Sequence, residues 1–141
     1  DSIVYCFLIE DHFRDATKMI ERGELNVIHA TFYRKEDGFV HMDMQGHAVG
    51  TPGVANPVCA AATMLAYTFG QSVQFLYENE RLKEKPTIQI IDGYAHISAR
   101  PKGEYQGDVL MAAWVVQAGV FCLSRNYPND VLLTPMEVSD Q

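Results

Sequence analysis

Apolar and polar residues alternate most regularly from Phe39 to Gln45. Val40, Met42 and Met44 fall on one side there, and His41, Asp43 and Gln45 on the other. A period of two marks a half-buried strand. Val27 to Tyr33 reads as a preceding strand, and Asp37-Gly38 supplies turn chemistry between the two. The period then lengthens. Val58, Ala62, Leu65, Phe69, Val73 and Leu76 recur every three or four residues, which predicts a helix to about Asn79 with one apolar stripe. Asn56-Pro57 announces that helix, because asparagine is a strong N-cap and proline is favoured at the first helical position. Pro86 precedes a strand from Thr87 to Ile91, Asp92-Gly93 is the strongest hairpin turn in the chain, and Tyr94 to Ala99 returns. After a loop at Gly103 to Gly107, a second long helix runs from about Asp108 to Arg125. Its inward residues are Val109, Ala113, Val116, Val120 and Leu123. Val131 to Leu133 reads as a last short strand.

The order β-β-α-β-β-α-β predicts an α+β fold: a small, mostly antiparallel sheet with two long helices laid on it. Residues 26–141 form that domain. Residues 1–25 read as an N-terminal extension, an apolar strand and then a short helix on Ile9, Phe13, Ala16 and Ile20 that stops at Gly23. A chain of 141 residues buries a sizeable core without disulfides or metal.

Composition narrows the function class. Apolar residues at 48% and charged residues at 21% are those of an ordinary globular domain, not of a disordered or fibrous one. No uninterrupted run of 18 apolar residues occurs, so no membrane span is expected. The apolar stretch Ile3 to Ile9 has no basic flank and runs into Glu10 and Asp11, which argues against a secretory signal. Cysteines at 6, 59 and 122 form no CxxC pair. A disulfide framework or a thiolate zinc site is therefore not expected, and a reducing, cytoplasmic compartment fits. The net charge of −7 does not suit direct nucleic-acid binding, but it would attract a basic polypeptide.

Cys59 is the residue with the most chemistry in its placing. With Asn56 as N-cap it lies in the first helical turn, where unpaired N–H groups and the helix dipole favour negative charge. Such positions favour thiolates. Pro57 has no N–H, so Val58 and Cys59 are the expected oxyanion donors. Beside Ala60, Ala61 and Ala62, Cys59 equally reads as a small buried residue. His47 bears on that choice. It lies where the second strand gives way to a loop, Gly46 to Ala55, whose Gly46, Gly50 and Gly53 suit a flexible substrate lid. The loop can return imidazole to the thiol, as an activated nucleophile requires.

Gly46-His47-Ala48, followed by Val58-Cys59-Ala60-Ala61 with twelve residues from histidine to cysteine, resembles the signature of Prp, the ribosomal-processing cysteine protease family. The resemblance extends from about Val27 to Leu133. It implies a homodimeric α+β peptidase with His47 as base and Cys59 as nucleophile, and no cofactor. It also implies a substrate, the N-terminal extension of ribosomal protein twenty-seven of the large subunit, cut after an aromatic pair and ahead of a basic stretch. Asn56 departs from the aspartate usual in the family, Pro57 is unusual, and residues 1–25 have no counterpart in its short members. Two other readings stand beside this one: a catalytically silent module that binds a basic ribosomal segment, and another thiol-dependent hydrolase on the same scaffold.

Weaker constellations remain. His41, Asp43 and His47 could be grouped as metal ligands, but solvated polar residues on an outer strand face explain them as well, and no metal is expected. The glycine-rich loop lacks the Gly-Lys-Ser/Thr ending of a phosphate loop. Cys6 and Cys122 read as structural, and His12, His29 and His96 as surface or strand-face residues. Trp114 reads as core or dimer interface.

Overall fold

The computed structural model describes residues 27–48 and 56–137. Strands β1 (Ile28–Arg34) and β2 (Val40–Gln45) are followed by helix α1 (Pro57–Glu78). Strands β3 (Thr87–Ile91) and β4 (Tyr94–Ala99) come next, then a short 3-10 turn, helix α2 (Gln106–Asn126) and strand β5 (Val131–Thr134). The strands form one sheet in the order β3-β4-β2-β1-β5. Three pairings are antiparallel, and β1 with β5 is parallel. The α+β architecture and the element order are those the hydrophobic pattern implies. The extension at residues 1–25 lies outside the described residues, as do Cys6 and His12.

One face of the sheet carries the core. Ala30, Phe32, Val40, Met42, Ile97 and Ala99 are almost fully buried there against Phe69, Val73, Val109 and Val116 of the two helices. Removing a large apolar side chain from water contributes roughly 1.5–3 kcal/mol, so this layer is the main reason the sheet and helices hold together. The stripes read from the sequence are the buried ones, with Leu65, Leu76 and Leu123 only partly covered. The helices touch closely at Gly119, where an added Cβ would sit 2.5 Å from Leu65 Cδ2.

Helix α2 with its leading turn, Gly103–Asn126, is long and apolar enough by composition to cross a membrane, although no unbroken apolar run signals it. Its inward face, Val109, Ala113, Val116 and Val120, is instead buried on the sheet. Its outer face leaves Trp114 at 45% exposure, so Trp114 is not a core residue. Cys122 is also exposed, which removes the structural role expected of it.

Two glycines fix how β2 ends against the β3–β4 turn. Gly46 has φ +102 and Gly93 φ +75, backbone angles that other residues adopt only with strain. Gly46 ends β2, and a Cβ there would meet the Val27 carbonyl oxygen at 2.0 Å. Gly46 N–H donates to Gly93 C=O at 3.0 Å, tying the two segments together.

Candidate active site

Asn56 starts α1 as expected, with an extended backbone at φ −83, ψ 118. Its Oδ1 accepts from Val58 N–H at 2.8 Å and from Cys59 N–H at 3.3 Å. Its Nδ2 donates to the Ala48 carbonyl at 3.3 Å. One carboxamide therefore caps the helix and holds the chain just after His47. A carboxylate performs the first task but has no hydrogen for the second. The two N–H groups expected to hold an oxyanion are thus both engaged by the cap in this state. The Cys59 contact is the longer and so the more easily redirected.

Cys59 lies third in the helix and is half-buried. Ala48 N–H points at its Sγ from 3.4 Å, and the thiol faces Ala48 C=O at 3.8 Å. A backbone N–H aimed at sulfur stabilises developing negative charge there. No acidic side chain lies in the first turn of α1 to oppose it.

His47 follows Gly46 out of β2, and its side chain is 58% exposed. Its Nε2 is 4.0 Å from Asp92 Oδ1, a carboxylate open to solvent. The imidazole lies over Gly93 so closely that a Cβ at Gly93 would fall 2.5 Å from Nε2. His47 and Cys59 line the same cleft, about 260 Å³ in volume, together with Thr63, Tyr67, Ile91 and Gly93. No hydrogen bond joins imidazole to thiol among the described residues; the thiol meets the Ala48 N–H, and the imidazole faces the Asp92 carboxylate. Gly50 and Gly53, assigned to a substrate lid, lie outside the described residues.

Two residues of this site give no sign of their task in the sequence. Ala48 acts through its backbone; the sequence marks it as a member of the Gly46-His47-Ala48 motif, and its side chain carries no chemistry that would point to this task. Gly93 reads only as a turn former, although its missing side chain is what admits the imidazole.

The grouping of His41, Asp43 and His47 as ligands is not what the fold assembles. His41 and Asp43 meet His96 across β2 and β4, while His47 belongs to the cleft. His41 is also buried at 8% exposure, not solvated on an outer face. The ring of Tyr33 covers it at 4.3 Å between centroids.

The family profile described as cysteine protease Prp matches residues 27–131. No curated protein matches the chain. Among solved structures, the ribosomal processing protease Prp from S. aureus with a covalently linked product peptide is similar at TM-score 0.58 and 18% identity, over 79% of this chain and 100% of that one. The same enzyme with a substrate peptide gives TM-score 0.56 at 17% identity, with the same coverage. SMU.848 from Streptococcus mutans gives TM-score 0.55 at 21% identity, over 82% of this chain and 98% of that one. The structural likenesses speak for the fold and the profile for descent, and on the profile the chain belongs to the Prp family of cysteine proteases.

Proposed function

We propose that this protease removes an N-terminal extension from a large-subunit ribosomal protein, of the ribosomal protein twenty-seven type, using Cys59 and His47. The observation that carries the reading is the pairing of a first-turn cysteine, its sulfur met by Ala48 N–H, with an imidazole in the same cleft. The similar protein from S. aureus is a ribosomal processing protease with a bound substrate peptide. The net charge of −7 suits a basic partner. A homodimer working in the cytoplasm belongs to the same proposal.

The chemistry needs only groups of this chain. Imidazole takes the thiol proton, and the thiolate attacks the scissile carbonyl carbon. Cys59 N–H, released from Asn56 Oδ1, donates to the tetrahedral oxyanion. Collapse of that intermediate breaks the C–N bond, and the imidazolium gives its proton to the leaving amine. Water, deprotonated by the same imidazole, opens the thioester and regenerates the thiol. Peptide binding has to close the gap between imidazole and sulfur, and long unliganded geometry is usual for such pairs.

The test incubates the chain with the ribosomal protein of its own organism and measures mass. Wild type should release the extension. Cys59→Ala, a small residue for a small one within a helix, should keep the fold and lose cleavage entirely. Cleavage by Cys59→Ala removes the assignment. An uncut substrate that still binds wild type identifies a silent binding module. Thiol reactivity without cleavage identifies a different hydrolase.

A further inference from the structure

On the face of the sheet away from the helices, three side chains converge. Asp43 on β2 stands directly opposite His96 on β4, and His41 lies two residues before Asp43 on the same face. His41 Nε2 is 2.7 Å from Asp43 Oδ2, and His96 Nδ1 is 2.7 Å from Asp43 Oδ1. The two ring nitrogens are 2.9 Å apart.

These three contacts cannot all be hydrogen bonds. Each ring nitrogen brings at most one proton, and an ionised carboxylate brings none. With two protons present, two N–H groups face each other at the nitrogen–nitrogen contact. With one, a bare nitrogen lone pair faces a carboxylate oxygen. No choice of tautomer fills all three sides of the triangle. Lone pairs that converge with too few protons are the arrangement a cation satisfies.

We propose that His41, Asp43 and His96 form a zinc-binding site. The donor set fits this ion by type. Two imidazoles and one carboxylate leave a fourth, tetrahedral position for water, whereas calcium and magnesium favour all-oxygen shells. Zinc bonds of about 2.0–2.2 Å place neighbouring ligand atoms roughly 3.3 Å apart. The two ring nitrogens, 2.9 Å apart, therefore have to part by only about 0.4 Å, and either carboxylate oxygen can serve as the third ligand. The frame is already rigid, since two ligands come from one strand and the third from its hydrogen-bonded neighbour. Asp43 at 28% and His96 at 24% side-chain exposure leave a path for the ion. Directly behind, on the opposite face of the same strands, the pair Met44 and Ala95 lines the proteolytic cleft. A metal here clamps β2 to β4, and so steadies the segments that present His47 and Gly93 without entering the peptidase chemistry.

Competition with a chromophoric zinc chelator tests this on the full chain. One site is expected in wild type and equally in Cys59→Ala. Its affinity should fall by about 100-fold or more in His96→Gln and in Asp43→Asn, at least as much as loss of a supporting residue does. A second reading needs no variant. One equivalent of zinc should shift the imidazole nitrogen resonances of His41 and His96 in the wild-type protein. Unchanged affinity in His96→Gln overturns the site, as does loss of binding in Cys59→Ala. Nitrogen shifts confined to His47 overturn it as well, whether or not the variants fold.

Discussion

Asn56 shows how much one side chain can hold. Its Oδ1 caps α1 and its Nδ2 fixes Ala48, whose own N–H meets the Cys59 sulfur. Asn56→Asp keeps the cap but sets a carboxylate oxygen against the Ala48 carbonyl and adds negative charge beside Cys59. Alkylation of the thiol should move to higher pH, because a nearby negative charge disfavours the thiolate. Identical alkylation profiles for the two proteins would show that Asn56 is a cap and nothing more. Asn56→Ala loses both bonds, and chemical denaturation should show about 1 kcal/mol of lost stability. Gly93 is the second such position. Gly93→Ala forces a Cβ against the imidazole and should lower kcat/KM by about 100-fold, the scale of a misplaced catalytic group. Gly38→Ala is its control. Gly38 shares the left-handed backbone at φ +88, but its added Cβ would meet Gln106, far along the sheet from His47. Equal losses of activity in the two variants would mean that backbone strain, not imidazole position, is being read.

At the scale of elements, strands and helices were legible in the sequence because their periods are uncluttered. Val40, Met42 and Met44 alternate cleanly, and Asn56-Pro57 leaves little choice of where α1 begins. The site was legible as residue types and only partly as geometry. Nothing in a linear chain says that His96, fifty-three positions from Asp43, becomes its cross-strand partner in place of the nearby His47. That requires the register of two hairpins. For the same reason His41 reads as solvated, although Tyr33 and His96 enclose it. His29 on β1 illustrates what half-burial does to a strand histidine. Burial lowers its proton affinity, while its Nε2 lies 2.9 Å from Thr134 Oγ1 on β5. The unfolded chain therefore binds a proton that the folded chain resists. This contribution is intact above about pH 6.5, the ordinary histidine value, and is lost as pH falls below it. His29→Gln should flatten the decline in stability between pH 7 and 5; an unaltered slope in urea titrations would assign that decline to other groups.

For the molecule as a whole, one apolar layer joins both helices to all five strands, β3 through the partly buried Ile90. Phe69 is fully buried at its centre. Phe69→Ala should cost about 3–5 kcal/mol and shift the denaturant midpoint without altering the slope. A change in slope instead would mean that the variant's compactness, not only its stability, had altered.

The single parallel pairing has a consequence for how such a protein comes into being. Ile28 pairs with Val131, and Ala30 with Leu133, so β1 leaves the ribosome about a hundred residues before the strand that covers its second side. Translation at roughly 5–20 residues per second makes that an interval of about 5–20 seconds. Throughout it β1 offers a row of unpaired N–H and C=O groups to whatever strand is nearby. The first helix and the β2–β4 ladder can form in the meantime, since their partners are already present, whereas α2 emerges only just ahead of β5. The sheet can be completed only when the final strand arrives. Among the described strands, birth order thus leaves β1 with an open seam on its flank opposite β2, a natural place for a chaperone to grip or for two unfinished copies to mispair.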